Sequence, residues 1–211
     1  MSETMPIDAE YDDEDARLML ATQAGDPLAF EELMARNQSR VRAFLLRLVG
    51  SDQLAEDLAQ EVFMRVYKHR ATYRHEARFS TWLYRVAHNV AYNALRSKSR
   101  RPEALFSGAA PTENETNVDG FEENVMAKTS ASPTRQIAKI ELQQVVRQAV
   151  DNLAPRQREA IVLSRFEGMS YQEIADVMNM TIQAVKSLLS RARVNLKEAL
   201  EPYVTEGKRP L

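Results

Sequence analysis

The stretch Ser170–Leu196, SYQEIADVMNMTIQAVKSLLSRARVNL, decides the architecture. Ser170 and Glu173 have the Ser-x-x-Glu spacing of a capping box, which starts a helix by satisfying its first free amides. Ala175 is small where two helices should cross closely. Asn179 follows at a turn position, where a left-handed backbone is tolerated by Asn. Thr181 can cap a second helix, with Met180 and Val185 as flanking apolar residues. Val185, Leu188, Leu189, Ala192 and Leu196 make an inward stripe at helical spacing. The pattern is a helix-turn-helix. Its second helix carries Lys186, Arg191, Arg193 and Lys197, and the quoted stretch of it holds no acidic residue. Gln183, Lys186, Ser187 and Ser190 lie near the N-terminal end of the outward side, the end that meets base edges in such motifs. Arg191, Arg193 and Lys197 lie further along, where phosphates are the nearer targets. An ordinary helical hairpin would also show a solvated basic face. Here caps, turn, stripe and charge all agree on duplex DNA.

A second basic segment lies earlier in the chain. Along a helix from Thr81, Leu83, Val86, Ala87, Val90 and Ala94 share one face, and Arg85, Asn89, Tyr92, Asn93 and Arg96 share the other. Lys98, Arg100 and Arg101 extend the charge. Asn can read base edges and Tyr can stack, a mixture suited to single-stranded or opened DNA. Trp82 sits at the border of the faces, placed either as a core anchor or as a stacking plane. The preceding loop, Tyr73-Arg74-His75-Glu76-Ala77-Arg78-Phe79, is a candidate holder of an extruded base. His69, His75 and His88 lack metal-ligand spacing, so no metal site is expected.

Charge is distributed unevenly behind a net value of −2. Residues 1–15 hold seven acidic side chains and no basic one, whereas Arg65 to Arg101 hold ten Lys/Arg against Glu76 alone. Residues 102–133 hold six Asp/Glu against Lys128. Phosphate binding needs local positive charge, which this pattern supplies. The absence of cysteine excludes disulfides and thiolate metal sites and fits a reducing cytoplasm. The acidic N-terminus does not read as a signal peptide, and no apolar run suits a bilayer.

The 211 residues divide into two helical blocks. A short helix is expected from Asp15 to Ala24. Asp26-Pro27 then starts a longer one with Phe30, Leu33, Met34, Val41, Phe44, Leu45 and Leu48 at helical spacing, ended by Gly50. Ser51 caps the next, whose Leu54, Leu58, Val62 and Val66 stack on a buried face. Its other side exposes Glu56, Asp57, Gln60, Glu61 and Arg65, which is either solvated surface or a partner interface. Ala71 to Phe79 reads as a loop, and the helix from Ser80 runs to about Ser99 before Pro102. Residues 102–134 lack helical period and read as a flexible acidic linker. The second block begins at Arg135, with Ile137, Ile140, Leu142, Val145, Val146 and Val150 on its first apolar face. Pro155 opens the next helix and Gly168 ends it. The expected fold is all-α. It has an acidic disordered tail (1–14), two small helical domains (15–101 and 135–205) and the linker between them, with no further domain after Tyr203.

Three motifs together resemble the extracytoplasmic-function (ECF) sigma factors of bacterial RNA polymerase. They are Asp57-Leu58-Ala59-Gln60-Glu61-Val62-Phe63, Phe79-Ser80-Thr81-Trp82-Leu83-Tyr84-Arg85-Val86-Ala87, and Leu153 to Arg193 with its helix-turn-helix. The resemblance covers nearly all of the chain from Asp15 to Tyr203. It implies a sigma region 2 domain and a sigma region 4 domain. Asp57, Gln60, Glu61, Phe63 and Arg65 would dock on the largest subunit of core RNA polymerase. Tyr73, Arg78, Trp82, Arg85, Asn89, Tyr92, Asn93 and Arg96 would open and read the −10 promoter element. Gln183, Lys186, Ser187, Ser190, Arg191 and Arg193 would read the −35 element, while another face of region 4 meets the second-largest subunit. The linker would thread near the polymerase active centre and RNA exit path. The implied function is promoter-specific transcription initiation, and the resemblance implies anti-sigma factors, often membrane-held, as a further partner class. No cofactor is implied, and the chemistry belongs to the polymerase rather than to this chain.

Two rivals remain open on sequence alone. A dimeric operator-binding regulator would use the helix-turn-helix but leave the Trp82/Asn89/Asn93 face without a purpose. A mimic that sequesters an anti-sigma factor would need neither basic region.

Overall fold

A computed structural model describes residues 13–100 and 133–205, with side chains placed for 13–97 and 142–203. The expected tail up to Asp12, Arg101, the expected linker from Pro102 as far as Ser132 and the apolar positions Ile137 and Ile140 lie outside the described residues or side chains.

The first block is built on caps that the sequence supplies. Helix α1 spans Glu14–Gln23 and α2 spans Pro27–Val49. Asp26 accepts from the amides of Leu28 and Ala29 at 2.9 and 3.3 Å, and Pro27 occupies the first turn, where a missing N–H costs nothing. Gly50 ends α2 with φ +70°, a left-handed conformation that suits glycine. Ser51 caps α3, Asp52–Lys68. A short 3₁₀ turn at Arg70–Thr72 leads into the loop before α4, Phe79–Arg100. Leu33, Val41, Phe44, Leu45, Val62, Val66, Phe79 and Leu83 fill the space between these helices.

The expected tail reaches too far. Asp13 caps α1: one carboxylate oxygen accepts from Ala16 N at 3.1 Å and the other from Phe79 N at 2.7 Å. It therefore ties the start of α1 to the start of α4. Asp15 then holds Arg36 Nε at 2.7 Å and Asn37 Nδ2 at 3.0 Å, which fixes α1 on α2.

The second block comprises α5 (Pro133–Asp151), α6 (Pro155–Arg165), α7 (Tyr171–Met178) and α8 (Ile182–Thr205). The capping box is present in both directions, Glu173 N to Ser170 Oγ at 3.3 Å and Ser170 N to Glu173 Oε2 at 2.8 Å. Asn179 takes φ +51° at the turn, and Thr181 Oγ1 accepts from Ala184 N at 3.2 Å. Val185, Leu189 and Ala192 are buried, and Leu188 and Leu196 are half-buried against the same core. Helix α8 outruns the basic stretch and includes the exposed Glu198 and Glu201. No glycine interrupts it after Leu196, and Glu198, Ala199 and Leu200 are good helix formers.

Sequence patterning treats the two blocks as separate cores. In the structure their buried residues form one contiguous cluster, with α7 packed on α4 and α6 on α2. Among the described residues, no helix is long and apolar enough to cross a membrane.

The turn at Asn179 makes a direct test of the motif. Asn179→Gly should stay within about 1 kcal/mol of the parent in urea unfolding, because glycine adopts positive φ without strain. Asn179→Val should lose roughly 1–2 kcal/mol from the left-handed penalty alone. Equal stability of the two variants would contradict the assigned turn.

Candidate nucleic-acid and polymerase interfaces

Three surfaces carry the candidate residues. The first is the outward side of α3. Asp57 and Gln60 are exposed, and Glu61 and Arg65 are half-exposed and paired with each other across one turn. Gln53 Nε2 donates to Asp57 at 3.4 Å. Phe63 does not belong to this surface: it is 6 % exposed and packs in the core. The buried face of α3 is wider than a stack of every fourth residue, because Ala55, Ala59 and Phe63 join Leu58, Val62 and Val66. Met64, by contrast, is 73 % exposed, and its helical spacing from Gln60 and Glu61 places it on their side. Sequence reading missed it. Its signal is an apolar side chain off the buried stripe, amid charge.

The second surface is α4 with its preceding loop. Asn89, Tyr92, Asn93 and Arg96 are exposed along one side, and the His88 and Tyr92 rings stack at 6.0 Å. Tyr73 is buried, 3 % exposed, and meets Trp82 edge-to-face at 5.2 Å and Phe79 at 5.9 Å. Trp82 is half-buried against this group, so it serves as an anchor while keeping an accessible edge. The Tyr73 and Thr81 hydroxyls are buried with no hydrogen-bond partner among the described residues. Burial and the nearby Asp13 push the Tyr73 hydroxyl up to about 12, so it keeps its proton at neutral pH. Unpaired buried hydroxyls beside an aromatic cluster are costly to leave so.

Two further candidates on this surface, Arg78 and Arg85, are exposed yet engaged by the second block. Arg78 pairs with Glu173 at 3.8 Å, and Arg85 Nε donates to the Asp176 carbonyl at 2.9 Å. His88 Nδ1 lies 2.5 Å from Glu159 Oε1, although sequence reading placed this histidine on the surface or near DNA. Below them, the Glu167 side chain is 5 % exposed at the joint between blocks. It accepts from Arg40 Nη2 at 3.2 Å and from the Tyr84 hydroxyl. Arg47 lies over the Phe166 ring at 4.3 Å. Burial lowers the Arg40 guanidinium, but Tyr84 and Glu167 more than offset this and hold it above its ordinary range. Burial lowers Arg47, with Glu167 opposing. Burial and then Glu167 push the Tyr84 hydroxyl well above the ordinary tyrosine range, which keeps it a donor.

The third surface is α8. Gln183, Lys186, Ser187, Ser190, Arg191 and Arg193 are all exposed. Gln183, Lys186, Ser187 and Ser190 fall at i, i+3, i+4 and i+7, hence on one side. Arg193 Nη2 lies 3.0 Å from the Tyr171 hydroxyl, and this contact lowers the Tyr171 value. Arg193 thus braces α8 against α7. Among the described residues no cluster of His, Asp or Glu could hold a metal ion.

Comparison with known proteins places this geometry. The description "Sigma-70 region 2" matches residues 33–101, and "Sigma-70, region 4" matches residues 143–196. The RNA polymerase sigma-H factor of Pseudomonas aeruginosa is 35 % identical over 197 residues, covering 92 % of this chain and 98 % of that protein. The ECF RNA polymerase sigma-E factor of Escherichia coli K12 is 33 % identical over 190 residues, 90 % of this chain and 96 % of its own length. The chain belongs to the ECF sigma factors. Among solved structures, CnrH in complex with the cytosolic domain of CnrY has a TM-score of 0.59 at 22 % identity, over 89 % of this chain and 97 % of that one. RpoE in complex with the anti-sigma factor NepR from Bartonella quintana has a TM-score of 0.59 at 24 % identity, over 82 % and 96 %. At these identities the two structures speak to the fold.

Tyr84 gives the joint an alkaline limit. Its hydroxyl holds a proton in the folded chain that the unfolded chain releases near pH 10, so its contribution is full below about pH 10 and is lost as pH rises further. Tyr73 acts in the same direction, from about 10 toward about 12. Urea midpoints measured from about pH 8 to 11 should fall in the parent and fall less steeply in Tyr84→Phe. An identical alkaline slope in both would remove Tyr84 from this role.

Proposed function

We propose that this ECF sigma factor initiates transcription by binding core RNA polymerase through α3, holding the −35 element on α8 and opening the −10 element on α4. The observation that carries the reading is the pairing of two unlike DNA-directed faces in one chain. One is a helix-turn-helix with an exposed polar and basic side; the other is a helix lined by Asn89, Tyr92, Asn93 and Arg96 above the Tyr73–Phe79–Trp82 cluster. A duplex operator-binder has no use for the second.

Asp57, Gln60 and Glu61 make the polymerase contact, with Met64 supplying apolar area beside them. Phe63 acts from the core, holding α3 in place. Lys186, Gln183, Ser187 and Ser190 read −35 base edges, and Arg191 holds phosphate, an affinity that weakens with salt. Asn89 and Asn93 read exposed −10 bases, and Tyr92 offers a stacking plane. Extruding a base costs a few kcal/mol, on the order of what pocket contacts and stacking return. The buried Tyr73 and Thr81 hydroxyls beside Trp82 are candidate donors for that base. Melting in this scheme uses binding energy alone. The chain performs no chemistry of its own and works in the cytoplasm. An anti-sigma factor is its natural negative partner, as the anti-sigma factor NepR is found with one related fold.

Titration against bacterial core polymerase, followed by run-off transcription on fragmented genomic DNA from the same source, tests the reading. Tight binding with new discrete start sites is expected. Duplex binding without core binding would instead indicate an operator-binding regulator. On a promoter so identified, Lys186→Ala and Arg191→Ala should each weaken −35 binding about five- to a hundredfold while leaving core affinity unchanged. Arg191→Ala should also lower the salt slope by about one. Parallel loss of core affinity would count against the assignment.

A further inference from the structure

Helix α1 carries none of the candidate DNA or polymerase residues, yet it holds both ends of the loop before α4. That loop follows the 3₁₀ turn at Arg70–Thr72 and ends where α4 begins at Phe79. At its entry, Gln23 Nε2 donates toward the carbonyls of Arg70, Ala71 and Tyr73, at 3.1, 3.0 and 3.4 Å. At its exit, Asp13 accepts from the Phe79 amide at 2.7 Å. Asp13 is the cap of α1 and Gln23 its last residue. One helix of ten residues, about 15 Å long, therefore ties down the loop at two points.

Each tie answers a local need. Three carbonyls converge at the 3₁₀ turn, and oxygens so placed need a donor between them. A carboxamide offers two N–H groups without a charge. Phe79 opens α4, so its amide lacks an intrahelical acceptor, and a carboxylate there also suits the helix dipole. Between the ties, Arg74 to Arg78 are all exposed. Helix α1 by contrast is well seated: Ala16 and Met19 are buried, and Asp15 holds Arg36 and Asn37 of α2. A loop with little packing of its own is thus held by an element that packs well. The two ties fall at Tyr73 and Phe79, whose rings meet each other and Trp82.

We propose that α1 positions the base-receiving loop, with Gln23 fixing its entry and Asp13 its exit, so that the Tyr73–Phe79–Trp82 cluster is set to take a −10 base. Both are positioning residues, and neither is assigned a contact with DNA. The inference rests on the reading that this loop and α4 receive the −10 strand. Binding loops depend on the scaffold that places them, and a displacement of about 1 Å loosens a site. Loss of either tie therefore lowers discrimination among bases. Polymerase docking and phosphate-driven affinity, which carry no base information, remain.

The probe is a pool of single-stranded 12-mers of random sequence, offered to core polymerase with and without the sigma factor, and the bound strands are sequenced. The parent holoenzyme should enrich a discrete motif that core alone does not. Gln23→Met keeps the length of the side chain and removes the donor. Asp13→Ser keeps a cap for α1 but has one oxygen, which leaves the Phe79 amide unmet. Each should enrich the motif about three- to tenfold less than the parent, at unchanged core affinity. Gln23→Lys restores a donor of similar reach and should recover the parent's enrichment; its added charge favours every sequence alike. Enrichment by Gln23→Met or Asp13→Ser equal to the parent's overturns the positioning role and leaves the −10 reading standing. A parallel loss of core affinity, or a Gln23→Lys no better than Gln23→Met, also overturns it. A parent that enriches no motif beyond core alone sinks the −10 reading, and the positioning role with it.

Discussion

A buried carboxylate sets the arrangement of the two halves. Glu167 follows α6, just before Gly168 turns the chain at φ +67° toward α7. Removed from water, it must find donors or carry a large desolvation cost. Arg40 and Tyr84 supply them, and Arg47 lies close by over Phe166. These donors sit on α2 and α4, so satisfying one side chain of the second block orients it against two helices of the first. The neighbouring contacts at Glu159, Glu173 and Asp176 follow from that placement.

Helix α4 carries three demands on one cylinder. Leu83, Ala87 and Val90 hold the first core; Tyr84, Arg85 and His88 meet region 4; Asn89, Tyr92, Asn93 and Arg96 stay in solvent. A period of 3.6 residues lets a helix keep three such strips distinct. Region 4 is arranged differently. Its helix-turn-helix is closed by its own capping box, its Asn179 turn and the Arg193–Tyr171 brace. The exposed outward side of α8 therefore does not depend on how the halves are docked.

Local chemistry was legible in the sequence. The caps at Asp26, Ser51, Ser170 and Thr181, and the left-handed Asn179, are written in residues that act within a turn of themselves. The two faces of α4 follow from periodicity. What sequence did not reveal is long-range. Glu159 and His88 are 71 positions apart, and no local pattern pairs them. Arg85 bonds a backbone carbonyl, which every residue has and no sequence advertises. Asp13 was masked by the acidic run around it, although one of its oxygens reaches the Phe79 amide. Phe63 and Tyr73 show the opposite error. Family motifs mark them with functional neighbours, but their aromatic bulk is spent on the core.

Hydrogen exchange of the full chain, alone and with core polymerase, tests the account most directly. Alone, the amides of α4 and α7 should be protected together, since each covers the other. With polymerase, α3 should gain protection through its Asp57–Gln60–Glu61–Met64 side. Fast exchange at α7 in the free chain, or an α3 indifferent to polymerase, would contradict it.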